Sequence, residues 1–195
     1  ASIFIQLSPT YEQSESDAQY VTAIADPAAA AFNGTRYVFG FVRTRTVSLE
    51  TRVNWSFTPN LTLQLYAQPF IANGDYTSFR EFARPRSIQK LEFGTDTGTV
   101  TYDQAANSYL IDPDGPGAAA SFTLRNPNFT MRSLRGTAVL RWEYRPGSTL
   151  YFVWTQLRSG YDPDGTWDFG SARSALLSDR PTNVFQLKAT YWLGR

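Results

Sequence analysis

The chain has no cysteine and no histidine among its 195 residues. Without cysteine there is no disulfide framework and no thiolate metal site. Without histidine the usual general base, the commonest metal ligand and the Ser-His and Cys-His nucleophile pairs are all missing. There is no run of about 18 apolar residues, so no helix is expected to cross a membrane. Neither sign of charge dominates, with Lys+Arg 18 against Asp+Glu 17, so nothing points to a nucleic-acid partner. No cofactor is expected.

What the chain does have is aromatic side chains, 14 Phe, 11 Tyr and 5 Trp. Its mean hydropathy is nonetheless slightly negative. A transmembrane β-barrel has this profile because only alternate residues meet lipid, although many β-sandwiches share it. The opening Ala1-Ser2-Ile3-Phe4-Ile5-Gln6-Leu7 reads as a strand rather than a signal peptide. The expectation is that residues 1–195 form the C-terminal portion of an outer-membrane β-barrel domain within a longer protein.

The strongest local signal is a period of two. Leu61, Leu63, Leu65 and Ala67 alternate with Thr62, Gln64, Tyr66 and Gln68, which is a strand with one apolar face. Just before it, Val47, Leu49, Val53, Trp55 and Phe57 alternate with Ser48, Glu50, Arg52, Asn54 and Ser56. Pro59-Asn60 between them predicts a tight antiparallel turn. The pattern returns over 131–144, turns at Arg145-Pro146-Gly147-Ser148, runs through 149–158 and closes with a strand over 183–194. No helical periodicity of useful length is present, so the chain reads as all-β.

The connections fall into two classes. Pro59-Asn60 and Pro146-Gly147 are short, whereas 71–130 and 159–182 are long, polar and rich in Gly, Asp, Asn and Pro. Short periplasmic turns opposite long extracellular loops is the outer-membrane barrel arrangement. Strand one is expected to reach about Val21 and strand two to begin near Thr35, with 25–34 as the tip. A hairpin of about 91–102 with 107–112 is expected within the loop that begins after Ile71. This gives about six long spanning strands in an antiparallel transmembrane β-barrel. Single-chain barrels begin at eight strands, so the chain is expected to complete a larger barrel or to assemble with copies of itself.

Alternation assigns faces. Glu50, Arg52, Asn54, Gln64, Gln68, Arg135, Arg141, Glu143, Gln186 and Lys188 fall on polar faces and are expected to line a lumen. A charge at the midplane of the lipid face costs about 2–4 kcal/mol, which forbids the opposite orientation. Trp55, Phe57, Trp142, Tyr144, Tyr191 and Trp192 lie near the short-turn ends of their strands, as an aromatic belt at a membrane interface requires. The ending from Phe185 to Arg195 resembles the aromatic-bearing terminal strand read by barrel-insertion machinery, apart from the trailing Gly194-Arg195.

The stretches Asn54-Trp55-Ser56-Phe57-Thr58-Pro59-Asn60, Ala72-Asn73-Gly74-Asp75-Tyr76, Arg125-Asn126-Pro127-Asn128-Phe129, Leu140-Arg141-Trp142-Glu143-Tyr144 and Tyr191-Trp192-Leu193-Gly194-Arg195 carry a further signal. Through them the chain resembles an uncharacterised bacterial outer-membrane β-barrel family. Its members carry an N-terminal domain similar to family-9 carbohydrate-binding modules, followed by a long barrel. The resemblance spans nearly the whole chain and implies a C-terminal position and an outer-membrane location; the family has no settled activity, so no catalytic residues carry over from it.

Other clusters admit two readings. Asp112-Pro113-Asp114-Gly115 and Asp162-Pro163-Asp164-Gly165 are β-turn sequences, yet Asp112, Asp114, Asp162 and Asp164 are also the oxygen type that Ca²⁺ takes. Tyr161, Trp167 and Phe169 are candidates for stacking on a sugar ring, or for packing a loop onto the rim. Arg80, Arg84 and Arg86 are candidates for lipid phosphate, or for pairing with Glu81. Glycoside hydrolysis needs two carboxyls flanking the sugar, but Glu50 and Glu143 alternate with arginines and read as ion pairs. No enzyme is expected. The expected function is transport or channel activity for a saccharide or other nutrient, with loops gating access. The alternatives are a structural barrel that anchors a displayed domain or partner, and a soluble carbohydrate-binding sandwich. The partners expected are outer-membrane lipid, the remaining barrel strands or subunits, and a saccharide.

Overall fold

The computed structural model describes residues 1–194. Arg195, the last residue of the closing motif, lies outside the described residues. Six long strands form one antiparallel sheet: β1 (Ser2–Ala25), β2 (Thr35–Thr58), β3 (Leu61–Phe82), β8 (Phe129–Arg145), β9 (Ser148–Asp162) and β10 (Thr182–Thr190). Their order is β1-β2-β3-β8-β9-β10, and the short β4 (Lys90–Glu92) pairs with β3. The strands β5 (Thr99–Asp103), β6 (Ser108–Asp112) and β7 (Phe122–Arg125) make a separate three-stranded sheet. The chain is therefore all-β and antiparallel, and the large sheet is not closed. The outer edges of β1 and β10 have no strand partner among the described residues.

Several elements differ from the sequence reading. β3 continues past Ile71 to Phe82, because Asn73, Gly74 and Asp75 pair in register with Arg45, Thr44 and Arg43 instead of turning. The expected strand over 91–102 is two pieces: Lys90–Glu92 pairs back on β3 and Thr99–Asp103 pairs with β6. Between them the left-handed Gly94 (φ 80°) and Gly98 (φ 56°) turn the chain. The last strand stops at Thr190, short of the expected Gly194. A helix, α1 (Phe169–Ser178), occupies what read as irregular loop. Asp168 caps it by accepting from the Ser171 N–H at 3.0 Å, and Ala172 and Leu176, four residues apart, are its buried face. Two buried positions are too few to register as helical periodicity.

The main packed core lies at the upper, long-loop end. Val38, Phe79, Phe93, Ile111 and Leu124 are buried together, with Ile24, Tyr76 and Tyr109 against them. Below this cluster the only further layer among the described residues is the 163–181 segment, which covers the upper part of one face. At the tip joining β1 to β2, Arg36 pairs with Asp26 at 2.8 Å and with Glu81. Burial raises the Glu81 carboxyl above its ordinary range despite that arginine. On β1, where its pairing with β2 is interrupted between Ser16 and Gln19, Asp17 accepts from Lys90 of β4, which lowers the Asp17 carboxyl.

Candidate functional site

Directly paired residues of antiparallel strands project to the same face, so the pairing register fixes where each side chain points. One row runs Ile3–Trp55–Leu63–Leu140–Phe152–Leu187 across all six long strands. The next runs Ile5–Val53–Leu65–Ala138–Trp154–Phe185. Every member of both rows is apolar. The face is also open, with Phe185 63%, Leu187 70% and Leu65 37% exposed. Soluble monomers rarely expose contiguous apolar surface on this scale.

The band is bounded at both ends. Trp55 and Phe57 (ring centroids 4.3 Å apart) and Trp142 and Tyr144 (6.1 Å) stand at the short-turn end. Trp192 is tied there by its backbone N–H to the Ser148 hydroxyl at 3.0 Å, and the Tyr191 hydroxyl meets Arg145 at 3.3 Å. The six aromatics expected to form a belt therefore gather at one level. At the other end the same face turns polar at Gln13, Arg45, Asn73, Arg132 and Gln156. On β2 the apolar stretch is Val47–Phe57, which matches the roughly 9–11 residues a spanning strand needs.

The upper limit of the band slopes across the sheet. On β1–β3 it lies at the row Tyr11–Val47–Ile71, but on β9–β10 it lies at Trp154–Phe185, a row that meets β3 six residues lower, at Leu65. The displacement is confined to the half of the sheet beyond β3, because β1, β2 and β3 share one upper row. The feature is invisible in any single strand.

On the opposite face the register gathers all ten polar candidates. Gln6–Arg52–Tyr66–Thr137–Thr155 is one row and Asn54–Gln64–Val139–Val153–Gln186 its neighbour. Thr62–Arg141–Tyr151–Lys188 follows towards the short turns, and Gln68–Arg135 lies towards the loops. Ion pairs join Glu50 to Arg52 at 2.8 Å and Arg141 to Glu143 at 3.0 Å. Glu50 and Glu143 are thus each neutralised by a same-strand arginine and lie on strands separated by β3. Arg52, Asn54, Gln64, Tyr66 and Thr137 surround a depression of about 260 Å³, with the Arg52 guanidinium 5.5 Å from the Tyr66 ring centroid.

The two long connections go to different faces. The small sheet β5–β7 packs on the polar face, since Val38 and Gly40 on that side of β2 adjoin its core and Phe79. A cavity of about 420 Å³ is lined by Val21, Thr22 and Ile24 of β1, by 123–127, and by Tyr161 of β9. The large sheet therefore curls round the small one, polar face inward. By contrast, 163–181 folds down on the apolar side. Thr130 donates to the Asp164 carbonyl at 2.7 Å, and Arg132 pairs with Asp162 and with Asp179 at 2.7 Å.

This arrangement separates the three loop aromatics. Tyr161 faces the polar side, whereas Trp167 stacks near Arg45, 6.0 Å from its guanidinium, and Phe169 covers Val47 and Ile71. No three-ring sugar platform forms. Asp112 accepts from the N–H groups of Asp114 and Gly115, and Asp164 from that of Thr166, as in side-chain-stabilised turns. Asp162 is held by Arg132. Arg80 pairs with Glu92 at 3.0 Å, not with Glu81, which belongs to Arg36. Sequence reading missed the stacked Trp154–Phe185 pair (centroids 6.4 Å apart) and the arginines 43, 45, 132 and 158 above the band. Their signal was present, in the same period of two carried beyond the apolar stretch.

No protein-family model matches this chain, and neither a curated protein nor a solved structure matches it.

Proposed function

We propose that this chain is a wall segment of an outer-membrane β-barrel whose polar face lines a hydrated lumen for passage of a saccharide or other nutrient. The observation that carries the reading is the uncovered apolar face, continuous over six strands, bounded by aromatic rings at one end and by arginines at the other. Lipid is the partner that such a band fits. The free edges of β1 and β10 call for further strands, because unpaired backbone groups in hydrocarbon cost several kcal/mol each. The remaining barrel strands, or further copies of the chain, supply them. Six strands fall short of the eight at which single-chain barrels begin.

On the inner face, Asn54 and Gln64 each present an amide donor and acceptor. With Arg52 and Tyr66 they offer the planar polar surface that sugar hydroxyls recognise. Access is set by the β5–β7 sheet, which lies over the polar face; the 163–181 segment lies outside and gates nothing. No catalytic step is assigned, since the inner carboxylates Glu50 and Glu143 are held by arginines.

A second reading, a barrel that anchors a partner without transport, is favoured by the packed core that fixes β5–β7 across the mouth. Planar-bilayer recording on the assembled, heat-modifiable barrel separates the two. Discrete conductance steps that are reduced by added oligosaccharide are expected. A folded barrel that gives no steps refutes transport and leaves the anchor.

A further inference from the structure

Between α1 and the outer face of β2 and β3 lies a groove of about 200 Å³. Val47, Leu49 and Ile71 form its floor, Phe169 and Leu176 its roof, and Arg173 stands on its rim. We infer that this groove holds the headgroup end of one acyl chain of an anionic outer-leaflet lipid, with Arg45 and Arg173 binding the phosphate. The inference rests on the membrane reading above.

The floor residues belong to the same face as the exposed apolar band and continue it upward, so the groove is the band's upper end with a roof added. An apolar slot in that place is filled by whatever covers the band below it, which is hydrocarbon. The charge pattern selects the headgroup. Arg45 is the next residue above Val47 on this face, with Trp167 beside it. A tryptophan at that height suits the membrane–water boundary.

The three other arginines that this face of the large sheet carries above the band are satisfied internally: Arg43 by Glu15 at 2.7 Å, Arg132 by Asp162 and Asp179, and Arg158 by the carbonyls of Leu177 and Asp179. Arg45 and Arg173 have no acidic partner among the described residues, and they are the two that flank the groove. A guanidinium matches phosphate oxygens through paired N–H donors. The helix is thereby given a purpose that its weak amphipathicity alone does not explain: it roofs a slot and carries one of the two cations.

Native mass spectrometry of the folded chain in neutral maltoside detergent, titrated with dipalmitoyl phosphatidylglycerol, tests the inference. One lipid per chain is expected to bind in preference to dipalmitoyl phosphatidylcholine, and inorganic phosphate is expected not to displace it. The pair R45Q/R173Q is expected to weaken binding about tenfold or more, as the loss of charge-assisted hydrogen bonds implies. Leu49→Trp, which fills the slot and keeps both arginines in the chain, is expected to abolish it. Equal binding by the double variant, by Leu49→Trp, or of phosphatidylcholine overturns the inference. A chain that still requires detergent but binds no phosphatidylglycerol also overturns it and leaves the membrane reading standing. A chain that stays dissolved after detergent removal defeats the membrane reading itself.

Discussion

Leu65→Arg is expected to destabilise the membrane-inserted barrel by about 2–4 kcal/mol, the cost of an arginine at the midplane of a lipid-facing strand. Leu65 sits in the row Ile5–Val53–Leu65–Ala138–Trp154–Phe185, with apolar neighbours on both flanking strands. Among the described residues no carboxylate on that face lies within the band to pair with the new charge. The neighbouring Gln64→Arg points to the polar face and is expected to change stability by no more than about 0.5 kcal/mol. Urea unfolding in lipid vesicles, followed by the loss of the compact unboiled band, gives both values. If the apolar face is bathed in water, the order changes. Leu65, already 37% exposed, could then be replaced by arginine at little cost and with a gain in solubility.

Gly98→Val is expected to cost about 3 kcal/mol or more and to unseat the β5–β7 sheet while the long strands persist. Gly98 has φ +56°, and a Cβ there would lie 1.8 Å from the Asp112 carbonyl oxygen and 2.6 Å from the Pro113 carbonyl carbon. Both are backbone atoms next to the β5–β6 ladder, so no side-chain rotation relieves the clash. A β-branched residue in the left-handed region adds about 1–3 kcal/mol of its own. The small sheet shares its core with Val38 and Phe79 of the large one, so the damage should stop at that junction. Limited proteolysis should cut within 93–127 and spare β1–β3. Because this sheet covers the polar face, the variant should conduct more than the parent barrel. Unchanged conductance would mean that β5–β7 does not control access.

Much of the fold is legible in the sequence where a strict period of two meets a two-residue turn. Across Pro59-Asn60 the alternation of β2 and β3 fixes both the pairing and the faces and brings five of the ten polar residues together; the same alternation on β8 and β10 adds the other five. The top of β3 was hidden because Asn73-Gly74-Asp75 has the composition of a turn, yet it is held straight by pairing with 43–45 and by the Phe129 ring, which would meet any Cβ on Gly74 at 2.3 Å. The helix was hidden because it is short and its two contacts, through Ala172 and Leu176, are made to residues far away in sequence. Tyr161 still belongs to β9 and takes its direction from the pairing with Met131; for Trp167 and Phe169 the period has ended, and direction is set by tertiary contacts such as Arg132 with Asp179. The sequence reading placed all three in one loop, and it could not tell how far β9 would run or which face the segment after it would cover.

The absence of cysteine makes the central claim directly measurable. Single replacements along β3, Leu63→Cys, Leu65→Cys and Ala67→Cys against Gln64→Cys, Tyr66→Cys and Gln68→Cys, can be labelled with a fluorophore in the vesicle-inserted chain. The odd positions are expected to be quenched by bromine on lipid tails and shielded from aqueous iodide, with the even positions showing the reverse. Equal access of iodide to both sets, with no quenching by lipid at either, would contradict a lipid-facing wall.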